Sequence, residues 1–186
     1  QIDRSRRVAF ILTHFCRRRT YFCFLSRPLL HSEESDQYCV QLEWTYEGQL
    51  NPKALKEAWQ GLINHHDILR TRFVWQDVDN PVQVVESEVA IPWFDDDFSK
   101  LNQKDQAKNL KEYVVKDRFA GFDLSKPCAM RLHLIKLSDT KYHFIWTNHH
   151  IILDGWCLPI LMGELANRYD AITKGKKTCN CSSSIL

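Results

Sequence analysis

What the chain lacks narrows it first. No apolar run reaches the roughly 18 residues that a membrane-spanning helix needs, so the 186 residues read as a soluble, cytoplasmic protein with no membrane partner. There is no strong charge of either sign: 25 Lys and Arg against 23 Asp and Glu leave a net +2. That balance gives no general reason to expect nucleic acid as a partner. Internal repeats are absent. The seven cysteines are odd in number, scattered, and mostly set in apolar surroundings such as Tyr38-Cys39-Val40, which suits reduced thiols better than a disulfide framework. The chain also opens on Gln1 rather than Met. What is abundant is apolar: 44% hydrophobic residues and six tryptophans can build the core of one domain, or of one lobe of a larger one.

The two ends differ from the middle. Before Glu33 there is one acid, Asp3, against seven arginines, the pattern of a transit peptide or a basic arm. The last nine residues, TCNCSSSIL, are also unlike what precedes them. We therefore divide the chain into an arginine-rich head, 1–35, a folded lobe, 36–175, and a tail, 176–186.

Within the lobe, QYCVQLEWTYEG from Gln37 alternates apolar and polar residues as a half-buried strand does. Asn51-Pro52 predicts a helix start, with Asn51 as cap and Pro52 in the first turn; Leu55, Trp59, Leu62 and Ile63 then share one face. His65 and His66 fall at that helix's end, where cations complement the dipole. ILRTRFVW and PVQVVE read as strands around the turn Asp79-Asn80-Pro81. The acidic IPWFDDDFSK reads as a solvated loop. Gln103 to Phe119 predicts a helix with Leu110, Val114 and Val115 inward. MRLHLIKL and KYHFIWTNHH read as two strands, and LPILMGELANRYDAI as a last helix. Paired strands separated by helices indicate α+β.

The stretch TNHHIILDGW places titratable groups where a buried strand ends. Successive side chains of a strand point to opposite faces, so His149 and His150 cannot serve one small site. This argues against a shared metal ion, as does the lack of further ligands at zinc spacing. One histidine can instead face a cavity as a base or hydrogen-bonding group. Asp154 can hold the turn or pair with a buried arginine, and Gly155 supplies an unusual backbone angle or room for close approach.

The segment His149-His150-Ile151-Ile152-Leu153-Asp154-Gly155 resembles the HHxxxDG motif of nonribosomal peptide synthetase condensation domains, in a superfamily with chloramphenicol acetyltransferase. His66-Asp67-Ile68-Leu69-Arg70-Thr71-Arg72-Phe73 is similar to the family's second motif, RHxxLRTxF, with His65 in place of its leading arginine. AIPWFDDDFS, FAGFDLSKP and MRLHLIKL follow in the family's order, and the resemblance covers about Gln37 to Lys174. The family's first motif is not recognisable in Gln1 to Ser35.

The resemblance implies a chloramphenicol acetyltransferase-like lobe with a mixed, mostly antiparallel sheet. It implies that His150 is the active-site residue for amide-bond formation between two carrier-bound thioesters. His149, Asp154, Gly155 and Arg70 would be structural, with Arg70 paired to Asp154. No cofactor or metal would be bound directly: the substrates ride on phosphopantetheine arms of peptidyl or acyl carrier domains, so those carriers and other synthetase modules are the partners. The family's domains have two such lobes around their active site, and this chain reads as the amino-terminal one, incomplete and inactive alone. The alternatives are a stand-alone trimeric acyltransferase and a non-catalytic carrier-docking module.

Overall fold

A computed structural model describes residues 38–176 and the strand pair position Phe10–Ile11; the rest of the head and nearly all of the tail lie outside the described residues. Along the chain run β1 (Phe10–Ile11), β2 (Cys39–Glu47), α1 (Pro52–His65), β3 (Thr71–Val74), β4 (Val82–Val85), β5 (Trp93–Asp97), α2 (Gln103–Phe119), β6 (Met130–Ser138), β7 (Lys141–His149) and α3 (Cys157–Thr173). A four-stranded sheet has the order β2-β7-β6-β5, and a smaller three-stranded sheet the order β1-β4-β3. Among the described residues, all pairings are antiparallel except β5 with β6. The fold is α+β.

Alternation along β7 decides what covers each face of the large sheet. Phe144 and Trp146 pack with Leu132 and Leu134 of β6 against Trp59, Leu62, Leu161 and Leu165 of α1 and α3. Ile145 and Ile135 point the other way, to Leu110, Tyr113 and Val114 of α2. Helices on both faces leave the central strands almost wholly buried, which is why MRLHLIKL and KYHFIW carry so little alternation. Helix α1 starts as its sequence predicts: Asn51 has extended backbone and its side chain accepts from the Ala54 amide at 3.1 Å.

Three local expectations are corrected. The acidic run is not a loop, because Trp93–Asp97 pairs in parallel register with Leu132–Lys136. Backbone bonding to one neighbour does not require buried side chains, and charges on an edge strand discourage further pairing. Residues Asp67–Arg70 form a 3₁₀ turn rather than the start of a strand, held by Thr71 Oγ1 donating to the Asp67 carbonyl at 2.9 Å. Val115 is 47% exposed; Tyr113 takes the inward position instead, since 110, 113–114 and 117 keep the helical spacing.

Candidate active site

The end of β7 separates its two histidines. His150 lines a cavity of about 270 Å³ with Val40, Leu42, Trp146, Asn148, Leu153 and Gly155, on the α3 side of the sheet. His149 is buried and turns to the opposite face, where its ring meets those of Tyr38 and Phe122. The backbone stays paired to the last residue: the His150 amide donates to the Tyr38 carbonyl at 2.7 Å, and the His149 amide to Ala129 at 2.9 Å.

Hydrogen bonding assigns each ring its tautomer. His150 Nδ1 lies 2.6 Å from the Leu153 carbonyl oxygen; a carbonyl only accepts, so Nδ1 carries the proton and Nε2 is the basic nitrogen of the neutral ring. His149 Nδ1 accepts from the Ile151 amide at 3.1 Å, which puts its proton on Nε2. Burial, and then the neighbouring His150, push His149 down to about 4. At neutral pH His149 is an uncharged acceptor that shapes the turn.

The Asp-Gly step lies beyond the strand. Asp154 is exposed, and its Oδ1 accepts from the amides of Trp156 and Cys157 at 3.0 and 3.1 Å and from Cys157 Sγ at 3.1 Å. It thereby caps the first turn of α3, whose orphan amides need an acceptor. The expected pairing with Arg70 does not form. The Arg70 guanidinium is taken up by the Asp67 carboxylate and by the carbonyls of Ile63 and Glu86. Gly155 is not in the left-handed region, and a Cβ there would meet nothing within 4 Å. The position therefore requires glycine neither for its backbone angle nor for close approach of a neighbour, contrary to the expectation from the sequence.

A buried polar cluster beneath the site escaped sequence reasoning. On the α2 side, Asp117 is 7% exposed and accepts from Arg131 Nε at 2.6 Å, His133 Nε2 at 2.9 Å, Gln41 Nε2 at 3.1 Å and the Thr147 hydroxyl. Burial raises its pKa, but the hydrogen bonds from His133, Thr147 and Arg131 outweigh that and hold the carboxyl well below the ordinary range. Arg131 also lies over the Phe122 ring at 4.1 Å, the ring that meets His149. The signal was present in the strands: Arg131 and His133 are polar at alternate positions of an otherwise apolar run, and Arg131 pairs across to Thr147. The Cys128 thiol is not an activated nucleophile of the kind a cysteine enzyme uses, because burial pushes it up to about 12 and only the thiolate attacks.

The α+β fold thus carries the HHxxxDG turn at the end of β7, directly before α3. The Condensation domain family matches residues 16–183, and this chain belongs to that family. It is 38% identical over 144 residues to a plipastatin synthase of Bacillus subtilis (strain 168), covering 76% of this chain and 4% of that protein. It is 35% identical over 144 residues to bacitracin synthase 1 of Bacillus licheniformis, covering 77% of this chain and 3% of that one. The chain thus spans only a few per cent of the curated relatives it matches. Among solved structures it is similar to the starter condensation domain of rhizomide synthetase, with a TM-score of 0.72 at 21% identity over 86% of this chain and 38% of that one. A four-domain nonribosomal peptide synthetase bound to AMP and glycine matches with a TM-score of 0.62 at 18% identity, over 72% of this chain and 10% of that one. Among the described residues, no helix is long and apolar enough to cross a membrane.

Proposed function

We propose that this chain supplies the amino-side lobe of a condensation site that joins two carrier-bound thioesters, and that His150 works on the attacking amine. The observation that carries this reading is the position and tautomer of His150: its ring lines the cavity, and its hydrogen bond to Leu153 leaves Nε2 as the basic nitrogen. An aminoacyl thioester entering on its phosphopantetheine arm would bring its amine to Nε2. The nitrogen lone pair forms the C–N bond to the donor thioester carbonyl, the C–S bond breaks, and the proton lost by nitrogen passes through Nε2 to the departing thiolate. Orientation contributes as much as proton transfer, because a neutral amine is already a nucleophile. His149 and Asp154 serve this site indirectly, by fixing the turn and capping the start of α3.

The other wall is supplied by the remainder of a condensation domain. Carrier proteins are the partners, and reduced thiols suit a cytosolic setting. The test is amide formation from a donor-loaded and an acceptor-loaded carrier protein, followed by mass spectrometry. Product is expected when this chain is complemented by the carboxyl half of a condensation domain such as the starter domain of rhizomide synthetase, and not from the chain alone. Turnover by the chain alone would show that one lobe suffices and overturn the reading.

A further inference from the structure

Away from the cavity, α1 and α3 bring together a second group of chemically capable side chains. His65 and His66 stand at the end of α1, and Glu164 in the middle of α3. One ligand atom from each lies within 4.8 Å of the other two. His66 is fully buried, and its Nε2 is 3.0 Å from Glu164 Oε2. The two imidazoles meet edge to face, with centroids 4.7 Å apart. His66 Nδ1 is buried without a partner among the described residues, so no bond on that side fixes the ring's tautomer.

Ligands about 2.0–2.1 Å from a tetrahedral zinc stand roughly 3.4 Å from one another. The His66–Glu164 pair is already near that spacing, and the half-buried His65 needs to move by little more than about 1 Å to join them. We propose that His65, His66 and Glu164 form a binding site for a divalent cation of zinc's chemistry, bridging α1 and α3. The ion would replace the proton between His66 Nε2 and Glu164 Oε2; that proton moves to Nδ1 or to solvent. Two imidazoles and one carboxylate are a donor set for zinc, whereas calcium and magnesium require oxygen ligands. Three protein ligands leave the fourth position to water, as in other open zinc sites. Arg168 adds a positive charge that acts on His66, and it opposes the ion.

The test uses the whole 186-residue chain, with its accessible thiols alkylated in the folded state so that those cysteines cannot hold the ion. Zinc chloride is titrated in a calorimeter, and thermal unfolding is recorded with and without zinc. The site predicts one equivalent bound and a zinc-dependent rise in Tm. In His65→Ala and in Glu164→Gln the affinity falls by at least about tenfold and the rise is lost. Both side chains are partly exposed, and melting without zinc checks that the variants fold. Arg168→Gln should bind more tightly than the parent. Zinc binding that survives both ligand substitutions unchanged, or no binding by the parent chain, would overturn the proposal.

Discussion

His149 and His150 are neighbours in sequence with opposite surroundings, and acid should separate them. The depressed folded value of His149 means that the unfolded chain binds the proton more readily between about 6.5 and about 4. Stability from this group is therefore complete above pH ~6.5 and is lost as pH falls through about 4. His66 is lowered too, by burial first, and adds to the same trend. We expect a loss on the order of 2 kcal/mol between pH ~7 and ~4.5, measured by urea unfolding, and a shallower slope in His149→Gln. An identical slope in that variant would contradict the assignment. Asp117 titrates below this window. Its removal acts at neutral pH by leaving the partly buried Arg131 and the buried His133 and Thr147 without their acceptor. Asp117→Ala should destabilise the chain by about 3–5 kcal/mol in the same unfolding assay.

At the scale of elements, Asp154 belongs to the start of α3 and Arg70 to the turn after α1. Each single substitution should lower stability: Asp154→Ala by about 1 kcal/mol as a lost helix cap, and Arg70→Ala through its bonds to Asp67, Ile63 and Glu86. The double variant should be additive to within about 0.5 kcal/mol in a thermodynamic cycle; a larger coupling would restore the direct pair. The sequence suggested this pair because both residues sit in motifs, and motif membership carries no distance. Elements with strong periodicity were legible: the Asn51 cap, the inward face of α1 and the alternation that parts the two histidines. Strand β5 was not, because its pattern of exposed acids records solvent while its order comes from backbone bonds to β6. The Asp117 cluster was hidden for a related reason. One acid on a polar helix looks solvated until the sheet brings Arg131, His133, Thr147 and Gln41 around it.

At the scale of the whole molecule, the surface near the site carries apolar groups that this lobe does not cover. Trp156 is 86% exposed and Ile160, one turn along α3, is 38% exposed. We propose that these two side chains form part of a contact surface, because large exposed apolar patches are where proteins associate. Sedimentation of the chain should show association that grows with concentration, and Trp156→Ser should weaken it; identical behaviour of parent and variant would place the contact elsewhere. The central claim is that of two adjacent histidines only the one facing the cavity takes part in chemistry. It is tested most directly by the rate of amide formation in the complemented condensation domain, comparing His150→Ala with the parent at equal folded concentration. The account predicts a rate lower by about 10²-fold or more, the scale of a positioned acid–base group, with His149→Gln retaining turnover in proportion to its folded fraction. Equal rates for His150→Ala and the parent would contradict it.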